Sequence, residues 1–270
     1  VQITKHHGLG NDFLVVLDEV NGRRLGASVD GALAERLCDR RRGVGADGLI
    51  HGEQSLDGDA DVRMHLFNAD GGRAEMSGNG IRCLAQALAV ARDEHETDYR
   101  IDTDAGRRLA TVHASADFHD CVVQVSMGVV AAGPSVPGPL DERLGGRFAT
   151  VSVGNPHLVM EVADPAAVDL ASEGGWLEQQ FADGINVEFV APSADPDALE
   201  LTVWERGVGV TEACGTGACA AAFVARDWGL VGDRVRVDMP GGSAEVALDG
   251  AEVTLIGPSH LVATIELPDP

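Results

Sequence analysis

Two short segments, 137 positions apart in a chain of 270, are written in the same pattern. Ser77-Gly78-Asn79-Gly80 and Cys214-Gly215-Thr216-Gly217 each lead into an alanine-rich run, ending near Arg92 and Trp228. A glycine turn before such a run predicts a helix start. Nine residues ahead of each turn a polar residue follows an aromatic: Phe67-Asn68 and Trp204-Glu205. Further upstream, Ala46 to Ile50 echoes Ala182 to Asn186 at an offset of 136. Asn11, after its glycine turn, echoes Asn155 after Gly154. Four matches in one order predict a duplicated unit. Two similar domains, each launching a helix from a glycine turn, would then face each other across a cleft.

Between these landmarks the pattern alternates short apolar runs with turns. Strands are predicted over Val1 to Leu17 (broken at Gly8-Leu9-Gly10), Val62 to Phe67, and in pieces from Tyr99 to Val130. Asp30 to Arg41 fits a helix, with Leu33 and Leu37 on one face. Gly133 to Pro139 reads as a surface loop. In the second half, strands are predicted at Thr150 to Val153, Leu158 to Val162, Val187 to Val190 and Leu199 to Trp204, with four more around Val235, Val246, Val253 and Val262.

Composition narrows the function. The 44% hydrophobic share allows a sizeable core. A net charge of −23 repels phosphate backbones and anionic membrane surfaces, so neither nucleic acid nor membrane is an expected partner. Lys5 is the sole lysine, which removes most Schiff-base and P-loop chemistry. Five cysteines, Cys38, Cys83, Cys121, Cys214 and Cys219, form no CxxC and do not pair with histidines at ligand spacing, so no metal is expected. With no secretory pattern at the start and no apolar run of membrane-spanning length, a cytoplasmic protein with reduced thiols is expected.

A side chain and free N–H groups at a helix N-terminus bind a carboxylate and acidify a thiol placed there. Two such ends would cradle one anionic group and offer a proton-transferring side chain on either side. The chemistry this suggests is inversion at the α-carbon of an amino acid, with the bound carboxylate accepting the developing charge and no cofactor. A P-loop is disfavoured because neither turn has the following lysine, and no segment fits a Rossmann fingerprint. A Cys–His hydrolase using Cys214 and His157 stays open at this point, though it leaves the duplication unexplained.

At these residues the sequence resembles the diaminopimelate epimerase family. The matching segments are Lys5 to Phe13, Gly43 to Asp47, Phe67 to Gly71, Ser77 to Cys83, Gly154 to His157, Trp204 to Gly209, Ala213 to Cys219 and Pro240 to Ser243, in family order. The resemblance implies an α/β (α+β) fold of two pseudo-symmetric domains, each a β-barrel-like sheet around a central helix. We place an N-terminal domain over 1–117, completed by a strand over 260–270, and a C-terminal domain over 118–259. It implies interconversion of LL- and meso-diaminopimelate for lysine and peptidoglycan synthesis, with neither pyridoxal phosphate nor metal. Carried over residue by residue, Cys214 and Ser77 stand at the catalytic positions. Gly78, Asn79, Gly215 and Thr216 match the groups that hold the reacting carboxylate. Asn11, Asn68, Asn155, Asn186 and Arg206 match substrate-binding residues, largely for the distal end. Glu205 suits the substrate ammonium, and His157 and Glu205 match residues that tune the thiols. Members are often homodimers.

Two departures stand out. A glutamine that often contributes to ligand binding after the Asp47 position is Gly48 here. The first catalytic cysteine of the family is Ser77, whose alcohol is far less acidic than a thiol. Either the change traps an inactive enzyme or the lineage has altered its chemistry. Two other readings stay open: a racemase of the same fold for another amino acid, and a catalytically inactive amino-acid-binding homologue.

Overall fold

Both glycine turns open onto helices that are buried on every side over most of their length. We describe a computed structural model of the chain, covering residues 1–22, 24–55, 58–141 and 144–268. The chain divides into two units, Val1–Val125 with Gly257–Pro270, and Ser126–Ile256.

The first unit contains strands β1 (Gln2–Gly8), β2 (Asn11–Leu17), β3 (Gly48–Glu53), β4 (Val62–Asn68), β5 (Arg73–Ala74), β6 (Glu96–Thr103), β7 (Gly106–Ala114) and most of β8 (Asp120–Val129). Helix α1 (Gly31–Cys38) lies between β2 and β3, and α2 (Gly78–Arg92) between β5 and β6. The pairing runs β1–β2–β3–β4–β6–β7–β8, then through the chain's last strand back to β1, which closes an eight-stranded barrel. The β2–β3 and β4–β6 pairs are parallel. Inside lies α2, with every residue from Gly78 to Ala89 buried. A helix buried all round is a core element, and this one fills the interior with Ile81, Leu84 and Leu88 and the bonded side chains of Arg82 and Gln86. Outside, α1 closes a second layer through Ala34, Leu37 and Cys38 on Leu14, Val16 and Leu49.

The second unit repeats the plan. Its elements are β9 (Ala131–Ala132), a short α3 (Gly138–Asp141), β10 (Phe148–Ser152), β11 (Pro156–Glu161), α4 (Leu170–Glu178), β12 (Asn186–Pro192), β13 (Ala198–Glu205), β14 (Gly209–Thr211), α5 (Gly215–Asp227), β15 (Arg234–Met239), β16 (Gly242–Asp249) and β17 (Glu252–Glu266). Again two pairs are parallel, β11–β12 and β13–β15. Again the inner helix, α5, is buried from Gly215 to Ala222. The outer helix α4 covers a core of Leu158, Leu177, Phe181, Val187 and Phe189. Strands β8 and β17 each begin in one unit and end in the other.

The structure departs from the sequence reading in five places. Helix α1 stops at Cys38, not Arg41, because the Asp39 carboxylate accepts the N–H groups of Arg41 and Arg42 and turns the chain. The loop expected over Gly133 to Pro139 ends in the helical turn α3. The two strands expected around Val253 and Val262 are the single strand β17, despite Gly257-Pro258 in its middle. Gly257 leaves room there for the buried Arg82 guanidinium, and Pro258 O accepts its Nε. The echo of Ala46–Ile50 in Ala182–Asn186 is two residues out of register. Gly48 pairs with Phe13 and Asn186 with His157, so Asn186 answers Gly48 and Glu188 answers Ile50.

The fifth departure is α4, which the sequence reading missed because Gly174 and Gly175 weaken a helix signal. Those glycines are required by Trp204. A Cβ on Gly174 would stand 2.4 Å from Trp204 Cβ, and one on Gly175 would stand 3.3 Å from its ring. Trp204 Nε1 donates to Glu178 Oε2 at 2.7 Å, while Glu178 Oε1 accepts from Gly207 N at 3.0 Å. Helix α4 therefore clamps the turn that carries Glu205 and Arg206. Gly174→Ala should overpack this contact and destabilise the fold by about 1–3 kcal/mol. A denaturant midpoint equal to the parent's would show that the clamp does not constrain this turn.

Candidate active site

Ser77 is the N-cap of α2 and Cys214 the N-cap of α5. Their backbones match, at φ −137°, ψ 126° and φ −125°, ψ 115°. Ser77 Oγ accepts from Gly80 N at 3.1 Å, and Cys214 Sγ from Gly217 N at 3.4 Å. An N-cap side chain stands over the open end of its helix. The next two N–H groups, of Gly78 and Asn79 or of Gly215 and Thr216, have no acceptor within the helix. Each end therefore offers two donors, a positive dipole end and a protic side chain to an anion.

Around Ser77 the first unit builds a chain of hydrogen bonds. Asn79 Nδ2 donates to Asn11 Oδ1 at 3.1 Å, and Asn11 Nδ2 to Asp47 Oδ2 at 2.8 Å. Buried Arg82 donates to Asn79 Oδ1 at 2.8 Å and to Gly78 O at 3.2 Å, fixing the first turn of α2. Asp47 and Asp12 share Arg40, and Asp12 also takes Lys5 Nζ at 2.9 Å. The sole lysine is thus a structural ion-pair partner. Asn68 ends β4, half-buried. Gly48 has a local reason: a Cβ there would meet Phe67 O at 2.8 Å and the Phe13 ring at 3.1 Å. The aromatic ring fills the space a longer side chain would need. Cys83 is fully buried in α2 and its thiol is pushed up to about 12, mainly by burial. It is no substitute for a base at Ser77.

Around Cys214 the second unit has different chemistry in the same frame. Asn155 Nδ2 reaches Thr216 Oγ1 at 3.3 Å, as Asn79 reaches Asn11 in the first unit. The fully buried His157 sets Nε2 against Asn155 Oδ1 at 2.9 Å and Nδ1 against Glu188 Oε1 at 2.7 Å. Both ring nitrogens are thereby engaged away from Cys214, so the Cys–His hydrolase pair is not formed. Glu205 accepts from Thr211 Oγ1. Burial, and then the charge of Glu188, raise its carboxyl above the usual range despite that bond. Asn186 is buried, with Nδ2 on Pro156 O at 2.8 Å and Oδ1 accepting Arg206 N at 2.9 Å. It ties the Pro156 turn to the Arg206 turn. The half-buried Arg206 lies along Gly184, with Nη1 near Asp183 O.

One expectation is overturned. The helix end was expected to acidify Cys214. Instead its thiol is held well above its ordinary range, first by burial, then by the charges of Glu205 and Glu188. The bonds to Thr216 and Gly217 oppose this and lose. The sequence reading also missed Glu188. It sits in Asn186-Val187-Glu188-Phe189-Val190, where both strand faces are buried, so alternation gave no sign of it. A carboxylate amid such a run was the available signal.

Among the described residues, no group of three His, Cys, Asp or Glu is placed to hold a metal ion, and no helix is long and apolar enough to cross a membrane.

This two-barrel fold is shared with a hydroxyproline epimerase from Agrobacterium vitis at TM-score 0.73 and 18% identity, over 98% of this chain and 91% of that one. It is shared as well with a phenazine biosynthesis protein of Bacillus anthracis at TM-score 0.68 and 14% identity, over 100% and 99%. At the level of sequence the chain is an isomerase of the epimerase type. The family model described as diaminopimelate epimerase matches residues 3–132 and 149–262. Diaminopimelate epimerases from Synechococcus elongatus and a Cyanothece species are each 39% identical to it, over 91% of this chain and 90% of the first, and 97% of this chain and 98% of the second. The chain belongs to the diaminopimelate epimerase family.

The Asp12 network yields a pH test. Burial raises the Asp12 carboxyl, but bonds from Arg40 and Lys5 outweigh it and hold it below the usual range. A folded pKa below the unfolded value of about 3.9 adds stability above that value. That stability is lost as pH falls through the folded pKa. Denaturant unfolding of the parent and Asp12→Asn should differ by a constant amount above about pH 5, with the gap closing below about pH 4. A gap independent of pH would remove Asp12 as the charged centre of this network.

Proposed function

We propose that the chain inverts the α-carbon of diaminopimelate, LL to meso, by moving one proton off one face and another onto the opposite face. The observation that carries this reading is the matched pair of helix N-caps, Ser77 and Cys214, in one backbone geometry. The reacting carboxylate would lie on the N–H groups of Gly78 and Asn79 and of Gly215 and Thr216. When the Cα–H bond breaks, its electron pair passes into that carboxylate, where the donors and helix dipoles hold the added charge. The proton goes to the side chain on its own face, and the opposite side chain returns one to carbon. Asn11, Asn68, Asn155, Asn186 and Arg206 would take the distal amino-acid end, Arg206 by a forked contact to its carboxylate. Glu205 would take an ammonium. The reaction needs no cofactor and serves lysine and peptidoglycan synthesis in the cytoplasm. A homodimer is part of this reading, tested by analytical ultracentrifugation.

Both faces of the chain as written are handicapped. Ser77 cannot form an anion comparable to a thiolate near neutral pH. Cys214, its thiol raised by burial and by the charges of Glu205 and Glu188, gives up its proton less readily than a free thiol. Inversion should therefore be slow. Restoring the thiol with Ser77→Cys should speed it by about 10²–10⁴-fold, the usual scale of general acid–base assistance. Proton–deuterium exchange at the substrate α-carbon in heavy water measures it. Equal rates in parent and variant would refute the two-base scheme, and binding with no exchange in either would favour an amino-acid-binding homologue. Turnover of another amino acid in preference to diaminopimelate would favour a racemase of the same fold.

Arg206→Ala should weaken diaminopimelate binding by about 2–4 kcal/mol, because the distal carboxylate would be desolvated without its partner. An affinity within about twofold of the parent by calorimetry would mean that the distal end is held elsewhere.

A further inference from the structure

The two halves share a frame but not a charge pattern. In the second unit an unbroken run of polar contacts leads from β12 to the N-cap of α5. Glu188 Oε1 meets His157 Nδ1 at 2.7 Å, and His157 Nε2 meets Asn155 Oδ1 at 2.9 Å. Asn155 Nδ2 reaches Thr216 Oγ1 at 3.3 Å, and Thr216 Oγ1 lies 3.5 Å from Cys214 Sγ. At the matching places in the first unit stand Ile50, Phe13, Asn11, Asn79 and Ser77. That barrel closes around an apolar pair where the second has a carboxylate and an imidazole.

Glu188 is also aimed at the helix start. A Cβ on Gly217 would lie 2.8 Å from Glu188 Oε1 and 3.3 Å from Cys214 Sγ, so glycine is needed for this approach. At Gly80 the nearest atoms are Ile50 Cδ1, Ser77 Cβ and Met64 Cε. Glu188 is fully buried, and its Oε2 has no hydrogen-bond partner among the described residues. A buried polar atom left in that state costs stability, and the Ile50–Phe13 pair shows that the fold does not need it.

We infer that Glu188 is a positioning residue for the Cys214 face: bonded to His157, and reaching the thiol through Asn155 and Thr216, it keeps Cys214 as the proton-bearing partner. The physical cause is like-charge repulsion. A thiolate at Cys214 would form against the carboxylates of Glu188 on β12 and Glu205 on β13, with His157 on β11 sharing its proton with Glu188. The remaining titratable neighbour on α5 itself is Cys219, buried in the same helix. The N-terminal dipole of α5 acts the other way. The inference rests on Cys214 being a proton-transfer group, as proposed above.

The test reads the thiol directly. The rate of Cys214 alkylation by iodoacetamide is followed against pH by mass spectrometry of its peptide, in the parent, in Glu188→Gln and in His157→Phe/Glu188→Ile. Glutamine keeps the volume and an acceptor for His157 Nδ1, so a purely structural role predicts the parent's profile. The expected result is a midpoint lower by about one unit, seen as about tenfold faster alkylation at a fixed pH below it. The double variant installs the pair the first barrel already carries and should move the profile the same way. It decides the matter should Glu188→Gln fail to fold. Profiles that coincide with the parent's in the folded variants overturn the inference. Because no substrate is involved, this outcome is separate from failure of the epimerase reading, which shows as absent α-proton exchange.

Discussion

The inner helix of each barrel is the constraint on which the rest depends. Each is buried on every side, α5 mainly with alanines and α2 with Ile81, Leu84 and Leu88 and the bonded side chains of Arg82 and Gln86 among its alanines. The enclosing sheet fixes the axis and the end of such a helix, in α2 partly through polar bonds from Arg82 to Pro258 O and from Gln86 to Phe118 O. The last glycine of each turn packs against a strand side chain, Gly80 on Ile50 and Gly217 on Glu188, and a single side chain stands over the open N–H groups.

The duplicated frame frees the two halves to differ where packing permits. Phe13 with Ile50, and His157 with Glu188, occupy matching places on paired strands. One pair is apolar and buried. The other needs a proton between Nδ1 and Oε1, and brings a negative charge close to Cys214. The first half invests its charges elsewhere, in Arg82 behind the helix turn and in the Lys5–Asp12–Arg40–Asp47 cluster that holds Asn11. Similar backbones thus present unlike electrostatics at their N-caps. Gly48 belongs to the same division. Phe13 fills its space, whereas Asn186 at the matching position, paired with His157, spans two turns with its amide.

Legibility in the sequence followed local physics. The extents of α2 and α5 were readable because cap, glycines and alanines all lie within a few residues. The family segments at Ser77 to Cys83 and Ala213 to Cys219 fall on those same turns. Helix α4 was not readable, since its glycines exist for Trp204, a residue 30 positions away from Gly174. The continuity of β17 depends on Arg82 lying over Gly257, a long-range contact that a local Gly-Pro signal contradicts. The register of β12 comes from its pairing with β11, so the two-residue error in the Ala182–Asn186 echo carried no local warning. The acidity of Cys214 was misjudged for the same reason. The helix end is visible in sequence, but the two carboxylates that outweigh it arrive on other strands.

Ser77 shows how the demands of fold and reaction separate at one position. As an N-cap it is sound: its hydroxyl accepts from Gly80 N at 3.1 Å, closer than Cys214 sulfur stands from Gly217 N, and serine is among the preferred caps. Burial does not penalise it, because it is only half-covered. The fold therefore has no reason to resist the change from thiol to alcohol. The proposed two-base reaction would, since an alcohol keeps its proton where a thiol can release it. On that proposal a serine here keeps the cap, leaves the barrel intact and weakens one face. Stability and the proposed catalysis would read the same atom by different criteria, its power to accept a hydrogen bond and its power to give up a proton.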